Sequence, residues 1–541
     1  MVWRLILRTL ALTLLVAISI QAQQSNLGRV EFSTSGSPAA QAHFLRGLAA
    51  LHSFWYEEAL EAFRESTKVD PDFMMGYWGE AMTWNHPLWS EQDLDAARQV
   101  IVKIKDTPKL TDRERAYLNA VKILYGDGDK HARDLAYSAA MEKIYRAYPE
   151  DLDAAAFYSL SLLGLMRPGD KGYRLQAQAG AIALAVYEKN PNHPGAAHYI
   201  IHAFDDPDHA ILALPAARRY ADIAPEAHHA RHMPSHIFLQ LGMWPEAAAS
   251  NESAWESSDN WMKRKNLPLS VRDYHSLHWL MYAYLQQGRY SKAEELLKLM
   301  KQVMTESTYD NKLRPDYYEN NYANMAAAFV VETERWDLAN ELFLPGNPQN
   351  PSPQTSASGS HAGHGTAPDT TATVRYSGAS RTLPPFIRAL SASIRGSSVA
   401  ADLDGIRGLE VSAVAAATRG DYKTAIELMQ KATAMEEETG APSGPPSLIK
   451  PTHELFGEIL LQAGKSADAV AMFRTALLRQ PNRARSLLGL ARAAAQSGDQ
   501  STAAATYAKF LEQWKQADEG LRELIEARDF LKSHPQITQK S

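Results

Sequence analysis

Histidine is the residue whose spacing in this sequence points to chemistry. Ten of the 18 histidines in the 541-residue chain fall between residues 193 and 278. Three pairs there are four residues apart and a fourth is three apart, so on a helix both rings of each pair lie on one face. These pairs are His198 and His202, His228 and His232, His232 and His236, and His275 and His278. Such paired imidazoles are typical of transition-metal sites.

Helices must position these pairs, and the sequence indicates helical hairpins that repeat along the chain. In residues 44–71, Gly47 precedes Ala59 by twelve positions, and Phe63 and Pro71 follow Ala59 by four and twelve. Further copies lie at Met281/Gly288/Ala293, Ala413/Gly420/Ala425, Gly457/Gly464/Ala469 and Ala491/Gly498/Ala503, with degenerate copies at Ile201/Ala213 and Ser235/Gly242/Ala247. The spacing resembles the tetratricopeptide repeat. This resemblance covers most of the chain and implies an all-α fold, a right-handed superhelix of stacked hairpins.

The resemblance also implies which residues of each first helix face the concave side of the superhelix. Counted from the small residue of the first helix, these are the residues six positions before it, three positions before it and one position after it. In three successive repeats these positions are held by six histidines, which we predict to lie on one surface: His198, His202, His232, His236, His275 and His278. The same face of the first repeats holds His52 and Glu80, candidate additional groove residues.

Two histidine pairs on neighbouring helices can converge on one cation, because packed helices lie about 8–10 Å apart. Imidazole suits zinc, copper, iron or nickel, and the sequence leaves the metal open. Asp205, Asp206 and Glu226 lie near the turns beside the pairs, where they could bind the metal or orient the imidazoles. In the alternative interpretation the histidines only shape and pack the groove. Arg231, Tyr199 and Tyr274 are interpreted as packing and surface residues rather than as an anion site. His193 and His209 are interpreted as capping or turn residues, and His228 and His229 are predicted to precede the helix.

The first 22 residues are predicted to be a secretory signal peptide. Arg4 and Arg8 precede an apolar segment, Thr9–Ile20, and Ala22 ends an acceptable cleavage site. No later segment reads as a membrane span. The stretches HPGAAHYIIHA and HMPSHIF also resemble those of exported bacterial tetratricopeptide-repeat proteins, a resemblance that bears on architecture and compartment alone. We therefore expect a periplasmic or secreted protein.

Composition divides the mature chain into three parts. Residues 23–344 are expected to form an irregular helical block, in which Thr111 and Glu114 have the spacing of a helix capping box. Residues 345–384 are rich in Pro, Ser, Thr and Gly and are predicted to be a flexible linker, which carries His361 and His364. Residues 385–541 contain the more regular repeats.

Two functional hypotheses follow. The first is an exported scaffold that binds a protein or peptide in its concave groove and carries a histidine metal site. The alternative is a metal-dependent enzyme, a hydrolase or oxidoreductase, built on the same histidines, with Glu80 as the candidate general base. The net charge is −6 with no basic stripe, which argues against nucleic-acid binding, and the absence of cysteine excludes disulfides and thiolate ligands.

Overall fold

The computed structural model describes residues 26–167, 172–306, 316–343, 378–397 and 403–535. Regular structure in these ranges is helical apart from one short antiparallel pair, β1 (Asn85–His86) with β2 (Glu91–Gln92). The predicted all-α helical-repeat fold is therefore confirmed. None of the helices in these ranges has the length and apolar character needed to cross a membrane.

The chain forms two compact units. Unit 1 runs to Ile237 and also includes Ser250–Asn266, whereas unit 2 contains Phe238–Ala249 and the chain from Leu267 onward. The boundary between the units does not fall at the low-complexity segment, residues 345–384, where composition placed it. The reason lies within unit 2, where Asn320 Oδ1 accepts hydrogen bonds from the backbone and hydroxyl of Ser380, both at 3.0 Å. Helices on either side of the low-complexity segment thus pack together.

The helices of unit 1 are short hairpin partners. They are α1 (Pro38–His52), α2 (Tyr56–Val69), α3 (Met74–Met82), α4 (Leu94–Ile101), α5 (Asp112–Leu124), α6 (Lys130–Ala147), α7 (Leu152–Leu163), α8 (Arg174–Lys189), α9 (Pro194–Ala203), α10 (Ala210–Ile223) and α11 (His228–His232). Two further helices, α12 (Pro234–Gln240) and α13 (Trp244–Lys265), have residues in both units. A 3-10 helix, Pro87–Trp89, joins β1 to β2.

Small residues and caps explain the hairpins of unit 1. A Cβ atom on Gly47 or Gly79 would lie 2.9 or 2.2 Å from the ring of Phe63, so only glycine lets this ring fill the space between the helices. The predicted capping box is confirmed. Thr111 Oγ1 accepts from the backbone N–H of Glu114 at 3.2 Å, and the Glu114 carboxylate accepts from the backbone N–H of Thr111 at 2.9 Å. This pairing satisfies two amide groups at the start of α5.

Unit 2 uses the same packing. Its helices are α14 (Tyr274–Gln286), α15 (Tyr290–Glu306), α16 (Tyr317–Thr333), α17 (Ala339–Leu342), α18 (Ala379–Ile394), α19 (Gly405–Thr418), α20 (Tyr422–Glu437), α21 (Thr452–Gln462), α22 (Ser466–Arg479), α23 (Ala484–Ser497), α24 (Gln500–Gln513) and α25 (Arg522–Ser533), with 3-10 helices at Leu269–Val271 and Trp336–Leu338. Here Phe473 fills the space left by Gly457 and Gly489, where a Cβ atom would lie 2.8 or 2.2 Å from its ring.

Two of the predicted segments lie largely beyond these elements. The predicted signal peptide, Met1–Ala22, lies outside the described residues. So does most of the predicted linker, residues 345–384, including His361 and His364. Helix α18 begins at Ala379, so the last residues assigned to the linker by composition are helical.

Candidate metal centre

Three histidines of unit 1 bring their ring nitrogens to one point. Nε2 of His198 lies 3.1 Å from Nε2 of His202 and 3.2 Å from Nε2 of His229. His198 and His202 come from α9, one helical turn apart, and His229 comes from α11. We call His198, His202 and His229 the histidine triad. Their ligand atoms all lie within 4.8 Å of one another.

Hydrogen bonding fixes the tautomer of His198. Its Nδ1 lies 2.7 Å from the backbone carbonyl oxygen of His52, which can only accept, so Nδ1 carries the proton. Burial lowers the pKa of His198 to about 3, and it also lowers the pKa of His229 well below its ordinary value. His198 is therefore neutral at physiological pH, with the lone pair of Nε2 directed at the other two rings.

A second histidine pair adjoins the triad. Nε2 of His232 lies 3.1 Å from Nε2 of His236. The Nδ1 atom of His232 donates to Oδ1 of Asn251 at 2.6 Å, and that of His236 donates to Asp205 at 2.7 Å. With both Nδ1 protons used in this way, each ring directs its Nε2 atom at that of the other. Such an arrangement is repulsive until a proton or a metal cation lies between the nitrogens.

The pair and the triad are neighbours. The ring centroids of His202 and His236 are 5.8 Å apart, and those of His229 and His232 are 5.9 Å apart. Neighbouring ligands of a metal with bonds of about 2.0–2.1 Å are themselves about 2.9–3.4 Å apart for bond angles between 90° and tetrahedral. The nitrogen separations of 3.1–3.2 Å in both groups fall in this range. The donor set therefore fits a transition metal held by imidazoles.

The oriented Nδ1 atoms resemble the outer shell of a metal site. Metal-binding histidines usually donate their second ring N–H to a carboxylate, an amide or a backbone carbonyl, which fixes the ring. His198, His232 and His236 do so with the His52 carbonyl, Asn251 and Asp205. A metal bound here would keep coordination positions for water or an external ligand, because the triad supplies only three ligands.

His52 lies behind the triad rather than in it. Its Nε2 is 2.9 Å from Oδ1 of Asp153 and its Nδ1 is 2.9 Å from the hydroxyl of Tyr199. His193 Nε2 lies 3.3 Å from the same carboxylate oxygen, while its Nδ1 accepts from the backbone N–H of Ala196. Burial lowers the pKa of His52 to about 4, whereas contact with His193 and His52 lowers the pKa of Asp153 despite its burial. Because Nδ1 of His193 is an acceptor, its Nε2 carries a proton, and this group is structural.

The other acidic candidates have different partners. Glu80 accepts from Nε of Arg64 at 2.8 Å and belongs to none of the potential metal-binding groups among the described residues. Asp206 bonds Nδ1 of His209 at 2.8 Å, and Glu226 contacts Arg46 and Asn26. Of the three acids expected to orient imidazoles, Asp205 holds a ring of the second pair, that of His236.

His275 and His278 belong to unit 2. Both lie on α14, where the His275 ring packs against Trp279 with centroids 5.6 Å apart. His278 is buried, and burial lowers its pKa to about 4. Their place on the same surface as the other four histidines remains a prediction from the sequence.

The structure adds one candidate ligand that sequence reasoning missed, His229. We expected His228 and His229 to precede the helix, but α11 begins at His228. The signal was present in the sequence, since His229 stands three positions before His232. Two other expectations hold: His193 caps α9, and Arg231 is a packing residue, bonded to the carbonyl of Pro225 and the hydroxyl of Ser253.

Phe54, which also touches the triad, occupies an unusual backbone position. It sits in the turn between α1 and α2 with φ of +52°, in the left-handed region. The same repeat position is glycine, with φ between 65° and 89°, at Gly242, Gly288, Gly420, Gly464 and Gly498. A residue with a side chain costs roughly 1–2 kcal/mol in this conformation. Such strain is often found at functional sites.

Together, the stacked hairpins and their glycine–phenylalanine packing define an all-α helical-repeat protein. Two stretches, residues 40–73 and 455–518, match family models of the tetratricopeptide repeat, which confirms the repeats predicted there. The search of curated proteins found no match.

Several solved helical structures are similar to the chain over most of its length. One is the APC/C hetero-tetramer Cut9–Hcn1, with 12% identity, 96% of this chain and 82% of that chain covered, and a TM-score of 0.35. Another is the human IFIT1 dimer with m7Gppp-AAAA, with 12% identity, 96% and 93% covered, and a TM-score of 0.34. A third is yeast Tom70, with 11% identity, 93% and 89% covered, and a TM-score of 0.28.

Proposed function

We propose that unit 1 is a metal-binding module in which the histidine triad holds a divalent transition metal, with His232 and His236 beside it. The observation that carries this proposal is the convergence of three ring nitrogens: Nε2 of His198, whose Nδ1 proton goes to the His52 carbonyl, lies 3.1 Å from Nε2 of His202 and 3.2 Å from Nε2 of His229. Burial keeps His198 and His229 neutral, as a metal ligand must be.

Metal analysis of untagged protein, purified without added metal, tests the proposal. We expect stoichiometric zinc, copper, iron or nickel, and a metal-dependent rise in the stability of unit 1. The rise should be roughly 2.7 kcal/mol at a free metal concentration a hundredfold above the dissociation constant. The double variant His198→Ala with His232→Ala should lose both the metal and the response to chelators.

The matched control is His361→Ala with His364→Ala, which removes two histidines from the low-complexity segment and should change neither readout. If untagged protein contains no stoichiometric metal and neither Zn²⁺ nor Cu²⁺ shifts its melting, the metal function is wrong. Equal loss of metal in both double variants would also contradict it.

Binding of a protein partner is a second candidate function, and the tetratricopeptide match at residues 455–518 favours it. By the repeat register, Glu458 of α21 faces inward, whereas Leu478 of α22 is an outer residue that is 74% exposed. A photo-reactive residue placed at 458 should cross-link a partner in the native host, and the same residue at 478 should not. Equal cross-linking at both positions would contradict binding on the inner helices.

We also propose that the protein is exported, on the basis of the Arg-flanked apolar segment that ends at Ala22. N-terminal sequencing of protein from the native envelope should then begin at or near Gln23. Protein recovered from the cytosol with Met1 intact would contradict export.

A further inference from the structure

One connection between hairpins of unit 2 is much longer than the next one. Helix α20 ends at Glu437 and α21 begins at Thr452, so residues 438–451 join them. The following connection of the same kind, between α22 and α23, consists of residues 480–483 alone. The longer connection therefore has ten residues more than the packing of two hairpins requires. We call residues 438–451 the proline-rich loop, since four of its residues are proline.

The proline-rich loop offers its backbone carbonyls to helices distant in sequence. Nε2 of Gln240, on α12, donates to the carbonyl oxygen of Pro442 at 2.9 Å. Nη2 of Arg407, on α19, lies 3.5 Å from the carbonyl oxygen of Ser447. In the repeat register both helices are first helices, which are the ones expected on the concave side. The loop thus contacts the surface on which a partner is expected to bind.

A glycine of the loop packs on an aromatic ring of a third first helix, α14. A Cβ atom on Gly444 would lie 2.6 Å from Cζ2 and 3.0 Å from Cη2 of Trp279. This ring is 3% exposed and packs against His275 with centroids 5.6 Å apart, so it cannot move aside. Glycine is therefore required at position 444 for the loop to lie where it does.

These contacts are of the kind that proteins use to bind proline-rich peptides. Proline has no N–H group, so such a peptide is recognised through its carbonyl oxygens and by aromatic rings that pack on it. Proline also restricts the free peptide, which lowers the entropy lost on binding. Gln240 and Arg407 supply donors for carbonyls, and Trp279 supplies the ring.

The proline-rich loop is fixed at its two ends. Nη2 of Arg479 donates to the carbonyl oxygen of Gly440 at 3.2 Å. At the other end, Nζ of the buried Lys450 lies 3.0 Å from the carboxylate of Glu454. Between these points the loop forms neither helix nor strand, and Ser443 is exposed. A segment with fixed ends and an irregular, partly exposed middle can open locally while the helices stay folded.

From these contacts we propose that the concave side of unit 2 binds a proline- and glycine-containing segment of a partner protein, and that the proline-rich loop occupies this site as an internal competitor. The partner would displace the loop and take over the two side-chain donors and the face of Trp279. The inference rests on the partner binding proposed above as a second function, to which it adds the chemistry of the partner and a means of regulation.

The test adds to the full-length protein a fluorescent peptide with the sequence of residues 440–449 and follows binding by fluorescence anisotropy. The loop competes in the wild type at an effective concentration of about millimolar, so the peptide should bind weakly. Gly444→Val in the protein should force its own loop away from Trp279 and tighten peptide binding at least tenfold. The same change made in the peptide should weaken its binding to this variant at least tenfold.

The matched control is Gly440→Val, which adds the same side chain to the loop at a place where nothing lies within 4 Å of the Cβ position. Made in the protein, it should leave the affinity for the peptide at the wild-type value. Made in the peptide, it should not weaken binding to the Gly444→Val protein. Gly444→Ala makes the same contact with a smaller side chain and gives the same test if far-ultraviolet circular dichroism shows that valine disturbs the fold.

The outcomes separate this inference from the partner binding on which it rests. Equal peptide affinity of the wild type and of both Gly444 variants would overturn the loop as a competitor. Equal binding of the original peptide and its Gly444→Val form would overturn Trp279 as part of the site. If a partner cross-links at position 458 but the peptide never binds, partner binding stands and this inference fails. If the peptide binds as expected but no partner cross-links, the site stands and the proposed partner binding fails.

Discussion

Units 1 and 2 both bury ionisable side chains on their helices, but they satisfy them differently. In unit 2, Arg483 is buried with Glu454 at 2.8 Å and Glu332 at 2.6 Å. Lys450 lies 3.0 Å from Glu454 and 2.6 Å from Glu458. Each buried cation thus has its anions within the same unit.

Three histidines of unit 1 are arranged differently, although one of them also contacts a carboxylate, Asp205. His198, His232 and His236 use their Nδ1 protons on outer acceptors, and their Nε2 atoms face other imidazoles. Imidazole nitrogens that face one another would be stabilised by a proton or by a metal cation between them, whereas the charges of unit 2 are balanced internally. The same hairpin packing therefore carries an ion network that maintains structure and a cluster suited to binding.

The largest expected effect tests the internal balance of unit 2. Arg483→Met would leave Glu332 buried without its cation and Glu454 with Lys450 alone, which should cost about 3–5 kcal/mol of unfolding free energy. Arg492→Met is the control, since the Arg492–Glu526 pair is partly exposed and should be worth at most about 1 kcal/mol. Denaturant titration measures both, and metal content should be unchanged. Similar losses in the two variants would show that the network is not internally balanced as argued.

The second prediction is that acid destabilises unit 1 more than unit 2. Burial holds the pKa of His198 near 3 and that of His52 near 4 in the folded state, below the ordinary value of 6.5. Below pH 6.5 the unfolded chain therefore binds protons that the folded unit does not. The stability of metal-free unit 1 should fall as pH drops from 6.5 toward these values, by up to about 1.4 kcal/mol per pH unit for each histidine.

Unit 2 should lose less stability over this range, because it contributes His278, with a pKa lowered by burial to about 4, whereas unit 1 contributes His52, His198 and His229. The carboxylates of unit 2 respond only at lower pH. Burial opposes ionisation of Glu454, but the neighbouring charges of Arg483 and Lys450 lower its pKa below the ordinary value of 4.5. Its contribution is present above pH 4.5 and is lost as pH falls through the lowered pKa. Unfolding of chelator-treated protein, followed between pH 7 and 4, should show a larger loss of stability in unit 1 than in unit 2. If the stability of unit 1 did not depend on pH, or if His198→Gln left the slope of stability against pH unchanged, the interpretation of His198 as a neutral buried histidine would be contradicted.

The sequence predicted the features that depend on local spacing. Gly47 and Phe63, or Gly457 and Phe473, reveal the hairpins because a ring needs a residue without a side chain opposite it. The rings of His198 and His202 meet as the spacing indicates, because both lie on α9 and four residues make about one helical turn. Those of His232 and His236 meet as well, although α11 ends at His232 and His236 lies on α12.

Features that depend on the folded chain were not predictable in this way. His52 meets Asp153 from a helix about a hundred positions away, and Asn251 reaches His232 from another helix. No periodicity encodes these contacts. His229 was missed for a local reason, because the start of α11 was placed too late. Phe54 was missed because the turn was recognised by glycine in the other repeats.

The smallest expected effect concerns the turn between the two helices of a hairpin, which contains Phe54 in unit 1 and Gly464 in unit 2. Gly464 of unit 2 has φ of +73° and nothing within 4 Å of the place where a Cβ atom would lie, so Gly464→Ala changes only the backbone preference. It should cost about 1 kcal/mol or slightly more. At position 54 the same difference should appear in reverse, with Phe54→Gly more stable than Phe54→Ala by a similar amount. Both small variants lose the packing of the ring, so their difference isolates the backbone. If Phe54→Gly were no more stable than Phe54→Ala, the turn would carry no strain, and the phenylalanine there would need no functional reason.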